Sequence, residues 1–383
     1  MKSEKIGVGP QARKSGSDPD LFTPLRIRSV TVRAVAAPMK RPLATSIATV
    51  SVAPLLLLDL ETDAGITGRS YLFAIGRHNL AAIAKLVEAM AEMVKGDEVA
   101  PFDLERKLRA RYSLLGVHNI VLFAMAGIDM AAWDAAAQAM GQPLARLLGA
   151  APRPIQAYNS KGLGLLPEKE LVKEASELVA EGFRAVKLRM GRADARQDLH
   201  MLRAVKNEIG PEITLMVDFN QALSVAEAIR RGQMIDEEGG VFWIEEPVRA
   251  DDFSGCSQVR REVRTPIQIG ENFMGPEQMW QALAAGACDY VMPDAQRIGG
   301  VTGWMRAAAL AQGAGIEMSS HLFPEVSCHL LAATPTCHWL EYVDWADAVL
   351  EQPAELKDGH VVTPAAPGAG ISWNEKAVER YSV

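Results

Sequence analysis

The sequence has few cysteines and no spacing that pairs them. Its four, Cys256, Cys288, Cys328 and Cys337, are scattered through 383 residues with no C-x-x-C motif. That argues against a disulfide framework and predicts buried free thiols in a reducing cytoplasm. A basic run is also absent and the formal net charge is −7, so no nucleic-acid partner is expected. No apolar segment reaches the roughly 18–20 residues that span a bilayer, so no membrane partner is expected either. The opening stretch, "MKSEKIGVGPQARKSGSDPD", carries cations but lacks the apolar core of a secretory signal. Its Gly, Ser and Lys content predicts a disordered tail over residues 1–25.

What is present is an ordinary globular composition, 49% apolar and 23% charged, in a chain long enough for two domains. "IRSVTVRAVAAPM" alternates as a strand does, and "APLLLLDLETDAGITGRSYLF" reads as two strands joined by a polar turn. Two helical stretches follow, "NLAAIAKLVEAMAEMVKG" and "NIVLFAMAGIDMAAWDAAAQAMGQPLARLLG", the second closed by Gly149. Strands then helices predict an α+β domain over 26–150. From 151 to 350 the texture becomes alternating. Short apolar runs ("IQAYNS", "AVKLRM", "TLMVDFN", "FWIEEP", "PIQIGEN", "YVMPDAQ", "IEMSSH", "HWLEYVD") are separated by amphipathic helices, the pattern of a (β/α)₈ barrel. The Pro- and Gly-rich segment 351–383 is expected to fold back on the first domain.

Catalytic groups of such barrels sit at the C-terminal ends of the strands. Reading the ends gives Ser160, Lys187 with Arg189, Asp218 with Asn220, Glu245, Glu271, Asp294, His321 and Glu341. Successive members are 20 to 31 residues apart, one β/α unit each time, a regularity that scattered polar residues would not keep. Asp218, Glu245 and Glu271 end consecutive strands, so their carboxylates should converge and repel unless a cation joins them. Hard oxygen ligands with room for water and substrate suit Mg²⁺, with Mn²⁺ as a possible substitute. Glu246, adjacent to Glu245, faces the other way and would only support the site. Asp294 precedes His321 by one strand, so its carboxylate can bond one imidazole nitrogen and raise the basicity of the other. Position singles out His321 among seven histidines; His329 and His338 read as structural. Lys187 and Arg189 are i and i+2 on one strand and share a face. A metal, a His–Asp pair and opposing cations fit proton removal next to a carboxylate.

These residues lie within stretches that resemble the enolase superfamily, and within it the mandelate racemase subgroup. The matching stretches are "GIDMAAWDA", "FRAVK", "MVDFNQ", "WIEEP", "GACDYVMPDA", "IGGVTGW", "MSSHLF" and "HLLAATPTCHWLE". The resemblance implies an N-terminal α+β capping domain on a modified (β/α)₇β TIM barrel, an α/β fold, in a homo-oligomer, an octamer by analogy. It implies Mg²⁺ on Asp218, Glu245 and Glu271, and an Asp294–His321 dyad for the α-proton of the R enantiomer of a 2-hydroxy carboxylate. Glu341 would be a protonated acid bonding the substrate carboxylate, Ser160 and Asn220 would touch substrate, and Lys187 would hold its carboxylate. An apolar wall from the cap would comprise Leu43, Ile47, Val50, Phe73 and Ile75, joined by Leu322 and Val343. It suits an aryl or alkyl side chain, because each sugar hydroxyl buried there unpaired costs about 1–3 kcal/mol.

The departure is Arg189, where the family has a second lysine base. Deprotonating lysine at pH 7 costs about 4–5 kcal/mol and arginine about 7–9. Racemisation of a mandelate-like acid through His321 and Arg189 is the first expectation. Dehydration of an acid sugar with His321 as sole acid and base is the second. An acid-binding protein without turnover is the third.

Overall fold

The structure, a computed structural model, describes residues 24–46 and 49–383. Ile47 and nearly all of the expected tail lie outside the described residues.

Three antiparallel strands build the cap: β1 (Ile27–Ala44), β2 (Thr49–Thr62) and β3 (Thr67–Phe73), in the order β1-β2-β3. Leu55, Leu56, Leu57, Leu58 and Leu60 of β2 are all buried, so both faces of the sheet are covered. One face takes the helices α1 (Leu80–Val94) and α3 (Ile120–Ala139), with α2 (Pro101–Tyr112) packed on α3. The approach of α3 to the sheet is close enough to need glycine on both sides. A Cβ on Gly68 would lie 2.0 Å from the Ala131 carbonyl oxygen, and one on Gly127 would lie 2.9 Å from Leu58.

Helix α3 corrects the expectation that no apolar segment is long enough to span a bilayer. It has 20 residues with a mean hydropathy of 1.5, although 83% of that window is buried inside the protein. Its length and apolar character come from being a core helix wrapped on all sides. Its two acids are internal ties. Asp129 accepts from the Thr302 hydroxyl (2.5 Å) and backbone N–H (2.9 Å), and Asp134 accepts from the N–H groups of Arg69 (2.7 Å) and Ala369 (2.6 Å). Burial pushes their carboxyls up, to about 7 and about 6, with those hydrogen bonds pulling back.

After the short α4 (Leu144–Leu147), eight parallel strands form the barrel. They are β4 (Pro154–Asn159), β5 (Ala185–Arg189), β6 (Thr214–Asp218), β7 (Ile244–Glu245), β8 (Ile267–Ile269), β9 (Tyr290–Val291), β10 (Glu317–Met318) and β11 (Leu340–Tyr342). The helices between them are α5 (Glu168–Ala180), α6 (Ala195–Ile209), α7 (Val225–Glu238), α8 (Phe253–Glu262), α9 (Pro276–Ala284), α10 (Gly300–Ala314) and α11 (Pro324–Ala332). Seven helices for eight strands is the (β/α)₇β form. The barrel closes where β11 pairs with the second half of β4, Leu340 to Ala157 through Tyr342 to Asn159. The floor is aromatic: Tyr158, Trp243 and Trp339 pack with Phe242 and Tyr290 below the strand ends.

The last segment serves both units. After β12 (Leu356–Lys357), β13 (His360–Val362) pairs antiparallel with the first half of β4. Trp373 then donates to Asp59 (2.9 Å), and α12 (Glu375–Tyr381) brings Glu375 to Arg33 (2.5 Å), covering part of the second face of the cap sheet.

Two outcomes test this packing. Gly68→Ala is expected to lower stability by about 3 kcal/mol or more, read from urea denaturation, because backbone atoms block the new methyl. His329 on α11 is fully buried and accepts the Ala145 N–H (3.2 Å), and burial pushes its pKa down to about 4. The unfolded chain, near 6.5, binds the proton first as pH falls. Stability from a neutral His329 is therefore complete above about pH 6.5 and lost towards pH 4, by up to about 3 kcal/mol. His329→Gln should flatten that part of the stability profile relative to the wild type.

Candidate active site

Every strand end contributes a polar side chain to one cavity mouth, because β/α loops leave the last strand residues pointing across the barrel. Asp218 ends β6, Glu245 ends β7, and Glu271 lies two residues beyond β8. One carboxylate oxygen from each falls within 4.8 Å of the others. Glu246, with φ +39°, turns away and accepts from Asn272 (2.7 Å) and Gln221 (3.1 Å). Burial and Glu271 hold its carboxyl well above the usual range.

Lys187 enters this acidic group from β5. Its Nζ lies 2.5 Å from Glu245, 2.8 Å from Glu341 and 3.2 Å from Asp218. Burial alone would lower its pKa, but the carboxylates prevail and hold it well above 10.5, so the ammonium is permanent at neutral pH. One ammonium among four carboxylates leaves excess negative charge, and burial pushes Glu245 up. The donor set therefore fits a hard divalent cation, which would join Asp218, Glu245 and Glu271.

On the other side, His321 Nδ1 lies 2.8 Å from Asp294 Oδ2. Asp294 Oδ1 accepts the backbone N–H of Gln296 (2.8 Å) and Arg297 (3.0 Å), which fixes the carboxylate. The pairing places the proton of a neutral ring on Nδ1 and a lone pair on Nε2. Nε2 faces Glu271 at 3.5 Å and Glu341 at 3.7 Å. Burial opposes protonation, but those two carboxylates and Asp294 push the ring up to about 9. Any cation that neutralises Glu271 weakens that pull and frees Nε2 as a base.

Two expected residues stand in settings that the sequence did not show. Glu341 is surrounded by donors rather than acceptors: Ser160 Oγ (2.7 Å), Lys187 and the Leu322 N–H (3.0 Å). Burial raises its carboxyl, but Lys187, His321 and these hydrogen bonds outweigh it and hold the pKa below the usual range. That setting favours the carboxylate form over the protonated acid that the resemblance implies. Asn220, with φ +43°, turns back on Asp218 through its backbone (2.7 Å) and its amide (2.9 Å), leaving Oδ1 buried without a partner.

Arg189 is held on neutral groups. One η nitrogen donates to the Ser160 (2.9 Å) and Gly162 (2.6 Å) carbonyls, the other to Ser160 Oγ (2.7 Å). Its Nε is buried and unpartnered, and no carboxylate among the described residues forms an ion pair with it.

The expected wall assembles in part. Leu322 and Val343 are buried, and Phe73 packs its ring on Trp345 at 5.0 Å. Leu43 and Val50 pair with each other near the end of the β1–β2 ribbon. Ser46 in that turn donates to the Phe219 carbonyl (3.2 Å), which lays the ribbon tip beside the end of β6. Ile75 departs from the expectation: it is 47% exposed, at φ +65°, where Gly76 N–H closes a γ-turn on Ala74 (2.7 Å). Gln296 was missed from the sequence. The available signal was its place two residues after Asp294, as Asn220 stands two after Asp218; both backbone N–H groups bond the preceding carboxylate.

Comparison with known proteins agrees with this geometry. Residues 27–149 match the model of the mandelate racemase / muconate lactonizing enzyme N-terminal domain, and residues 170–377 match that of the enolase C-terminal domain-like family. The chain is 33% identical over 315 residues to L-talarate/galactarate dehydratase of Salmonella typhimurium, covering 81% of this chain and 77% of that protein. A solved enolase from the alpha proteobacterium bal199, with bound magnesium, superposes with TM-score 0.92 at 45% identity, covering 94% of this chain and all of that one. A solved Bradyrhizobium enolase in complex with magnesium and mandelic acid gives 0.91 at 43%, covering 95% and 100%. The chain belongs to the mandelate racemase / muconate lactonizing enzyme family of the enolase superfamily.

Proposed function

We propose that this chain removes the α-proton of a 2-hydroxy carboxylate with Mg²⁺ as cofactor and His321 as its single acid and base. The observation that carries this reading is the hold on Arg189. Two-base racemisation requires a group opposite His321 that gives up and regains a proton. A guanidinium does not readily release a proton at neutral pH, and this one is fixed in place by two carbonyls and a hydroxyl. Arg189 therefore acts as a fixed cation.

Bound Mg²⁺ would supply Lewis acidity at the substrate carboxylate and stabilise the ene-diolate that proton loss leaves. The chain's own residues do the rest. Lys187 supplies a permanent positive charge beside that carboxylate. Asp294 keeps the imidazole oriented and its proton on Nδ1, and Nε2 takes the α-proton. Where the substrate carries a β-hydroxyl, the imidazolium returns that proton to the departing oxygen. The C–O bond breaks, water leaves, and the resulting enol tautomerises to a 2-keto acid. The likeness to a dehydratase at 33% identity supports this outcome. Racemisation of a mandelate-like acid is the second reading, favoured by the apolar edge of Phe73, Trp345 and Leu322 and by the solved relative that holds mandelic acid.

Incubation with Mg²⁺ and each mandelate enantiomer in D₂O, followed by proton NMR and polarimetry, separates the two, with acid sugars assayed in parallel for the keto product. The expected result is α-proton exchange from R-mandelate without inversion. His321→Asn should reduce it by about 10³-fold or more. Arg189→Lys, which restores a removable proton, should add inversion. Equal exchange and inversion from both enantiomers in the wild type would overturn the single-base reading. A second expectation concerns the cation alone. Mg²⁺ at about 100 times its Kd should stabilise the fold by about 2.7 kcal/mol in thermal melts, and Asp218→Asn should remove most of that gain.

A further inference from the structure

The side chain of Gln296 is only 2% exposed, and it is spent entirely on the backbone of one cap residue. Its Oε1 accepts the Phe73 N–H at 2.8 Å and its Nε2 donates to the Phe73 carbonyl at 3.2 Å. A side-chain amide thus makes the pair of bonds that a neighbouring strand would make at the end of β3. The backbone N–H of the same residue holds Asp294 Oδ1 at 2.8 Å, while Asp294 Oδ2 holds His321. The Phe73 ring, in turn, packs on Trp345, four residues past Glu341. One residue is therefore common to the dyad and to the apolar edge that the cap contributes.

From this arrangement we infer that Gln296 is a positioning residue, which sets the Phe73–Trp345 edge at a fixed distance from the His321–Asp294 dyad. The inference rests on the reading of His321 as the base. It gives the cap a route to the chemistry: the edge that meets a substrate side chain is tied to the loop that orients the catalytic ring. A side chain large enough to reach Phe73 is then held in register with Nε2, and a small one is not. Misplacement by about 1 Å is enough to cost on the order of 10²-fold in rate.

A second cap-to-barrel tie lies close by and provides the control. Tyr71, two residues earlier on β3, donates to Glu325 at 2.7 Å, and that bond touches neither Asp294 nor His321. A purely structural role for Gln296 would make the two ties equivalent.

The test uses the full chain loaded with Mg²⁺, comparing Gln296→Met, Gln296→Glu and Tyr71→Phe with the wild type. Methionine keeps the volume and removes both bonds; glutamate keeps an acceptor for the Phe73 N–H but not the donor. Hydrogen exchange by mass spectrometry reads the Phe73 amide directly. α-Proton exchange in D₂O is measured with R-mandelate and with lactate, whose methyl group is too short to reach the edge. In Gln296→Met the Phe73 amide should exchange at least about 10-fold faster. KM for mandelate should rise about 10-fold with that for lactate little changed, and kcat should fall for both. Gln296→Glu should lie between, and Tyr71→Phe should lower the melting temperature without this split. The inference is overturned if Phe73 protection is unchanged in Gln296→Met, or if both acids lose kcat/KM by one common factor in the Gln296 and Tyr71 variants. Should the wild type turn over neither these acids nor any acid sugar assayed in parallel, the reading of His321 fails, and Phe73 amide exchange alone decides the role of Gln296.

Discussion

Buried negative charge is the constraint on which this molecule is organised. Asp218, Glu245, Glu271 and Glu341 meet at the open end of the barrel with Glu246 behind them, and Lys187 is, among the described residues, the ammonium driven into their midst. A protein interior does not tolerate such a group unless it is compensated. The compensation is visible in every direction: donors on Glu341, Asn272 and Gln221 on Glu246, Asn220 on Asp218. A divalent cation completes it. The same crowding gives His321 its basicity, since the imidazole faces two of those carboxylates while a third orients it.

The scaffold meets that demand through separation of labour. The aromatic floor of Tyr158, Trp243 and Trp339 fills the barrel below the strand ends and keeps the acids in a low-dielectric setting; Trp243 also donates to Glu245 at 3.2 Å. The cap supplies cover. Its central helix carries two aspartates in an otherwise apolar run, and each is used to fasten something outside the helix, the start of α10 or the residues around Ala369. The cap is thus bound to the barrel by internal polar ties as well as by apolar contact.

The barrel was legible in the sequence because β/α repetition leaves a periodic trace, and its strand ends were legible because the polar residues keep step with it. The charge cluster followed from residue type plus position. Conformation was not legible. Nothing in the letters shows that Arg189 would be drawn onto the Ser160 and Gly162 carbonyls, or that Glu341 would sit among donors, since both depend on side-chain contacts between neighbouring strands of the folded barrel. The two aspartates of α3 are a related case: in the fold each is held by neighbours far away in sequence. Gln296 had only its place two residues after Asp294 to mark it, because its side chain bonds a backbone, which no residue type announces.

The cap sheet has a history written into its second face. Arg33 and Glu375 are 342 residues apart, Trp373 reaches back to Asp59, and β13 pairs with the first half of β4. On a ribosome, β1 to β3 are made long before residues 360–381. Until those arrive, Arg33 and Asp59 lack their C-terminal partners, and one flank of β4 has no partner. The order of synthesis therefore leaves the earliest strands waiting for partners that are made last.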